Sequence, residues 1–248
     1  MSLEKGLYIK PTESTGPDQM ATDLFLLEKS FTENDFSMAI RFYTWDGNWI
    51  SIGRNQKLIP EKWIKLSKTK KIRMVRRPSG GQAVLHSSGL TYALIWKNPP
   101  QNKKQSYLIT TQWLTNGFKR AGIDLFSGDQ SASIQNINCF STSTIADLVD
   151  KTGNKYIGSA QFWKKGHLLQ HGEILIEPSE QLWQDVFNTN PPEIKKSHIE
   201  KDMLLKFLKE SITSSWSKLN WISYKFDDQE IKTIKEMAKS KFNEFSHF

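Results

Sequence analysis

Cysteine is nearly absent from this chain, with Cys139 the single example in 248 residues. One thiol closes no intrachain disulfide and builds no multi-cysteine zinc site, so a disulfide-stapled scaffold is excluded. Long hydrophobic runs are missing too. No stretch approaches the roughly 18 apolar residues that a bilayer-spanning helix needs, and the opening Met1-Ser2-Leu3-Glu4-Lys5 lacks the apolar stretch of a signal peptide. The expectation is a cytoplasmic protein with no membrane partner. The 14 glycines follow no three-residue period, which excludes a collagen-like chain.

Large apolar side chains, by contrast, are plentiful. Aromatic residues make up 12% of the chain and include nine Trp, enough to build a core despite a mean hydropathy of −0.53. The length fits one large domain, or a main domain with a modest appendage. With 34 basic and 26 acidic side chains the net charge is +8 and the pI about 9.4. Such a surface attracts acidic partners, and charge alone does not choose among nucleic acid, an anionic membrane and an acidic protein.

Periodicity supplies a coarse map. Gly16-Pro17-Asp18 opens a helix with Met20, Leu24 and Leu27 on one face, ending near Lys29. Met38–Trp45 and Trp49–Ile52 read as a hairpin across Asp46-Gly47-Asn48. A short helix follows Pro60, then a strand around Ile72 and Met74, and extended runs over Gln82–His86 and Leu90–Trp96. Tyr107, Thr111, Leu114, Phe118 and Ala121 form a helical stripe closed by Gly122. Ile145–Val149, Tyr156–Trp163 and Leu168–Ile176 read as an antiparallel meander. Beyond Pro178 the pattern turns helical over Ser179–Phe187 and Ile199–Trp216. A further strand lies near Trp221, and a last helix is capped by Asp227 and Glu230, with a stripe of Ile231, Ile234, Ala238 and Phe242. This gives an α+β chain, a mixed and largely antiparallel sheet flanked by helices. A main domain over residues 1–185 is followed by a helical extension, 186–248, packed on it.

Three segments carry chemistry. Arg76-Arg77-Pro78-Ser79-Gly80-Gly81-Gln82 sets two cations beside a bare backbone, which suits a phosphate or carboxylate, although a plain β-turn beside solvated arginines has the same composition. Cys139 is either an inert buried thiol or, with a nearby cation, a nucleophile; Lys155, at the start of a strand, is the candidate cation, and a solvated turn lysine is its other reading. Gly158-Ser159-Ala160-Gln161 and Leu169-Gln170-His171-Gly172-Glu173 place small residues in adjacent strands, leaving room for a ligand or easing a crowded crossing. His167 and His171 are four apart, but in a strand and without a metalloprotease Glu, so no metal is expected.

Together these segments resemble the biotin/lipoate protein ligase superfamily. The run from Arg76 to His86 looks like its arginine–glycine loop, Lys155-Tyr156-Ile157-Gly158-Ser159-Ala160-Gln161 like its lysine strand, and Leu169–Leu175 like the strand that follows. Ser51-Ile52-Gly53-Arg54-Asn55-Gln56 and Met20-Ala21-Thr22-Asp23 fit as well, so that the likeness covers about residues 5 to 185. Within the superfamily, Cys139-Phe140 upstream of the lysine strand, Leu90-Thr91-Tyr92 and Gln82 look like the cysteine-type octanoyltransferases. Arg54-Asn55-Gln56 looks more like the ATP-dependent lipoate ligases, and the Cys139-to-Lys155 stretch is one residue longer than the transferase pattern.

The resemblance implies transfer of an octanoyl group from an acyl carrier protein to a lipoyl domain or a glycine-cleavage H protein through a thioester on Cys139, with Lys155 favouring the thiolate. It implies an acyl slot lined by Gly80, Gly81, Gly158, Ser159 and Ala160, with Arg76, Arg77, Ser79 and Gly172 in the same binding set and His86 and His171 at its edge. No cofactor is expected; ATP and Mg enter only with the alternative, a lipoate ligase using an acyl adenylate. Lys68, Lys70, Lys71 and Arg73 would form a basic rim for the acidic carrier. A non-catalytic nucleic-acid-binding domain is the remaining alternative, and no single-strand recognition motif supports it, so nucleic acid is not an expected partner.

Overall fold

The computed structural model describes residues 4–33, 35–128, 146–194 and 200–243. In chain order these form β1 (Lys5–Ser14), α1 (Gly16–Thr32), β2 (Met38–Trp45), β3 (Trp49–Ile52), α2 (Glu61–Lys68), β4 (Arg73–Arg76), β5 (Val84–His86), β6 (Leu90–Trp96), α3 (Lys103–Arg120) and β7 (Phe126–Ser127). There follow β8 (Leu148–Val149), β9 (Lys155–Lys164), β10 (His167–Ile174), α4 (Glu180–Phe187), α5 (Lys201–Ser215), β11 (Asn220–Tyr224) and α6 (Asp228–Lys241). Residues Cys139, Ile145 and Ile199, named above, lie outside the described residues.

An eight-stranded sheet in the order β11-β1-β2-β6-β10-β9-β8-β7 forms the centre, and a three-stranded sheet, β4-β3-β5, stands beside it. Alternation along the central strands serves two cores at once. Ala39, Tyr43 and Trp45 of β2, with Ala93 and Ile95 of β6, pack against Met20, Leu24 and Leu27 of α1 and Ile234, Met237 and Ala238 of α6. Ile40 and Phe42, with Tyr92 and Leu94, face Trp113, Leu114 and Phe118 of α3 and Leu204, Leu208 and Ile212 of α5. A third core joins the small sheet to α2 and α4 through Trp63, Trp183 and Phe187. Trp49, Trp63, Trp113 and Trp183 are among the largest fully buried side chains; burial of a ring of that size contributes on the order of 3 kcal/mol or more.

The helix limits follow local chemistry. Thr15 caps α1 by accepting from Asp18 N at 3.3 Å, with Pro17 in the first turn. The α6 capping box forms as its sequence predicts: Asp227 accepts from Glu230 N at 2.8 Å while Glu230 accepts from Asp227 N at 3.0 Å. Ile231, counted in the α6 stripe, is exposed, whereas Ile234, Ala238 and Phe242 are buried.

One expectation is corrected. Met38–Trp45 and Trp49–Ile52 do not form a hairpin: β2 pairs with β1 and β6, while β3 pairs with β4 and β5 in the other sheet. The Asp46-Gly47-Asn48 turn exists, with Gly47 at φ 85°, but it is stapled to β4. Arg73 N donates to Asn48 O at 2.8 Å, and Asp46 pairs with the Arg73 guanidinium at 2.9 Å. The strand expected near Trp221 is present as β11 and joins the large sheet parallel to β1, itself a strand that periodicity did not indicate.

Candidate active site

A small cavity of about 30 Å³ opens where the α1 face of the large sheet meets the small sheet. Met20, Tyr43, Trp45 and Val84 supply its apolar wall. Of the residues singled out from sequence, Arg77, His86, Gly158, Ser159, Ala160, His171 and Gly172 line it. The glycines keep this part of the sheet thin and close-packed: a Cβ on Gly172 would stand 2.7 Å from Gly158 O and 2.8 Å from Ser159 Oγ. The Ser159 side chain itself bonds Tyr92 Oη at 2.8 Å.

The arginine–glycine loop is held mainly by its own arginines. Arg77 is buried, and its guanidinium donates to Ser79 Oγ (3.2 Å), Ser51 O and Oγ (2.7 and 3.3 Å), Gly80 O (2.6 Å) and Gln82 O (2.7 Å). These account for the five N–H donors a guanidinium carries. Arg76 turns the other way and donates to Gly53 O and Gln56 O, both at 2.8 Å. Gly81 adopts φ 86°, and its carbonyl passes so close to Gly53 that a Cβ there would stand 1.8 Å from it. Neither Arg76, Ser79, Gly80 nor Gly81 lines the cavity; they form the layer behind Arg77.

Both histidines are buried between a carboxylate and a serine. His171 Nδ1 lies 2.9 Å from Asp23 Oδ2 and its Nε2 2.5 Å from Ser79 Oγ. His86 Nδ1 lies 2.7 Å from Glu173 Oε2 and its Nε2 2.8 Å from Ser51 Oγ, and the ring stacks on Trp45 at 4.0 Å between centroids. Asp23 also accepts from Tyr43 Oη at 3.0 Å and pairs with Arg41 at 2.8 Å. Burial holds His86 below its ordinary pKa, helped by Arg77 and His171 and opposed by Glu173. Burial next to Asp23 pushes the Tyr43 phenol well above its usual range.

Lys155, at the start of β9, is buried and pairs with Asp147 at 2.9 Å. It is not in the cavity wall, whereas Gly158, three residues further along the strand, is. Cys139 lies outside the described residues. Of the suggested basic rim, Lys71 pairs with Asp185 and Arg73 with Asp46 and the face of Trp49. Among the described residues, no three His, Cys, Asp or Glu side chains are grouped as a metal ion requires, and no helix is long and apolar enough to cross a membrane.

Sequence reasoning singled out neither Asp23 nor Glu173 for a role, nor Ser51, Tyr43 or Trp45. Two had a signal. Glu173 is an acid inside the otherwise uncharged strand run Leu168–Ile174, and Asp23 sits among the apolar residues of α1. A charge in such a setting needs a buried partner.

Three comparisons bear on this geometry. The model of the lipoyl protein ligase A/B catalytic domain matches residues 16–215. An octanoyltransferase LipM from Anoxybacillus flavithermus is 30% identical, covering 98% of this chain and 97% of its own, and one from Geobacillus kaustophilus is 32% identical over 75% of this chain and 70% of its own. Among solved structures, a bi-partite lipoate protein ligase from Thermoplasma acidophilum, described with its E2 lipoyl domain, shares the fold at a TM-score of 0.77 and 17% identity, covering 97% of this chain and 94% of its own.

Proposed function

Because the chain belongs to the lipoyl protein ligase A/B catalytic-domain family, we propose that it is an octanoyltransferase of protein lipoylation, carrying the acyl group as a thioester on Cys139. The observation that carries this reading is the cavity between the two sheets. It is apolar along Met20, Tyr43, Trp45 and Val84, and bordered by Gly158, Ala160 and Gly172 and, at one side, by Arg77. An apolar lining with small residues along it suits a straight alkyl chain, and the likeness to octanoyltransferases across nearly the whole chain supports octanoyl as the group.

The reaction has two steps. The Cys139 thiolate attacks the thioester carbonyl of octanoyl-acyl carrier protein; the new C–S bond forms, and the carrier's thiolate departs and takes up a proton. The amine of an acceptor lysine on a lipoyl domain or glycine-cleavage H protein then attacks the Cys139 thioester, forming the amide and returning the thiolate as the amine loses a proton. Thioester exchange is nearly balanced and amide formation is downhill, so no ATP or other cofactor enters. The protein's task is orientation and charge stabilisation. Lys155, fixed by Asp147 on β9, would supply the positive charge that favours the thiolate.

Incubation with octanoyl-acyl carrier protein, without ATP, should add one octanoyl group to the wild type and none to Cys139→Ser, as read by intact mass, and hydroxylamine should remove it. A chain that acylates a lipoyl domain only when free acid and ATP are supplied would instead be a ligase.

A further inference from the structure

The two buried histidines have no part in these steps, yet each makes the same connection. Arg77 Nε donates to Ser79 Oγ, and Arg77 Nη1 to Ser51 Oγ. Each serine hydroxyl contacts a histidine Nε2, and each histidine Nδ1 contacts a carboxylate, Asp23 in one case and Glu173 in the other. One polarity satisfies every contact: the guanidinium donates to the serine oxygen, the serine hydroxyl to Nε2, and Nδ1–H to the carboxylate.

From this geometry we infer that Asp23–His171–Ser79 and Glu173–His86–Ser51 are twin relays that grip Arg77 from two sides, and that the histidines position the arginine–glycine loop against the acyl slot. Both ring nitrogens of each histidine are engaged, so neither presents a lone pair to a reacting atom. The relays join elements far apart in the chain: α1 to the loop through His171 on β10, and β10 to β3 through His86 on β5. Arg77, at the meeting point, fixes Gly80 and Gln82 by their carbonyls. Loss of either serine oxygen would remove one acceptor from Arg77, the side chain whose bonds to Gly80 O and Gln82 O hold the loop. The role in turnover rests on the proposed acyl transfer; the hydrogen-bond chain itself does not.

The test follows both levels. In protein labelled with ¹⁵N-arginine, the Arg77 Nε–H signal, identified by its loss in Arg77→Lys, should move in Ser79→Ala and also in His171→Asn, which acts only through the serine. In steady-state octanoyl transfer each variant that folds should lose roughly tenfold in kcat/KM, and Ser79→Ala/His171→Asn should lose no more than the worse single variant, since members of one network are not additive. Ser79→Ala removes one oxygen and keeps the test usable if His171→Asn does not fold. An Arg77 signal unmoved by His171→Asn, or losses that multiply in the double variant, would overturn the relay. A wild type that forms no acyl thioester would defeat the transferase reading while the ¹⁵N signal still decides on the relay.

Discussion

At the scale of single residues, the site depends on atoms that are missing as much as on those present. Gly53 has no side chain because Gly81 O occupies the space a Cβ would need, at 1.8 Å. Both atoms belong to backbone that Arg76 and Arg77 hold down, so neither can give way cheaply. Gly53→Ala should cost about 1–3 kcal/mol as overpacking and displace the loop, measurable as a lower urea midpoint together with a lower kcat/KM. The His86 environment sets a pH dependence whose sign can be worked out. Its unfolded pKa is about 6.5, and burial lowers the folded value, so between the two the unfolded chain binds more protons. The contribution of His86 is therefore full above about pH 6.5 and is lost as pH falls towards the folded pKa. Glu173, Arg77 and His171 face the ring, and none of them lies on β5 with it. Urea midpoints measured from pH 7.5 down to 5.5 should fall for the wild type and fall less for His86→Asn.

At the scale of elements, what could be read from sequence is what local chemistry decides. The α3 stripe and the Asp227–Glu230 capping box need only residues a few positions apart, and both form where expected. Asp227→Ala should lower stability by about 1 kcal/mol, seen as a modest fall in melting temperature without loss of octanoyl transfer. The failed hairpin is of another kind. The alternation of Trp49–Ile52 requires a sheet but not which sheet, and the choice is made by Arg73, some 27 residues beyond Asp46. β1 escaped notice because Pro11 and its polar end break the alternation, and it is a strand because β2 and β11 flank it. The site divides in the same way. The arginine–glycine loop is legible from its Gly and Ser content, whereas Asp23 meets His171 across 148 positions, a pairing no local pattern encodes.

For the molecule as a whole, the four residues suggested for a basic rim divide into two kinds. Lys71 and Arg73 are held in ion pairs within the chain, while Lys68 and Lys70 stand exposed at the end of α2. Under the proposed transfer, steering of an acidic carrier would draw on the net excess of basic groups, whose field salt screens over about 8–10 Å. The KM for octanoyl-acyl carrier protein should rise as NaCl goes from 50 to 300 mM, whereas that for an octanoyl thioester of a small neutral thiol should stay nearly constant.

The pairing of Lys5–Ile9 with Asn220–Tyr224 has a consequence for the order of events on the ribosome. One edge of β1 stays unpaired until a strand some 215 residues later has been made, which at about 5–20 residues per second takes roughly 10–40 s. During that interval the nascent chain carries an open strand edge, and the sheet closes on that side only once Asn220–Tyr224 has been made. Codons or pauses that lengthen this interval would prolong the exposure of β1 to chaperones and to neighbouring nascent chains.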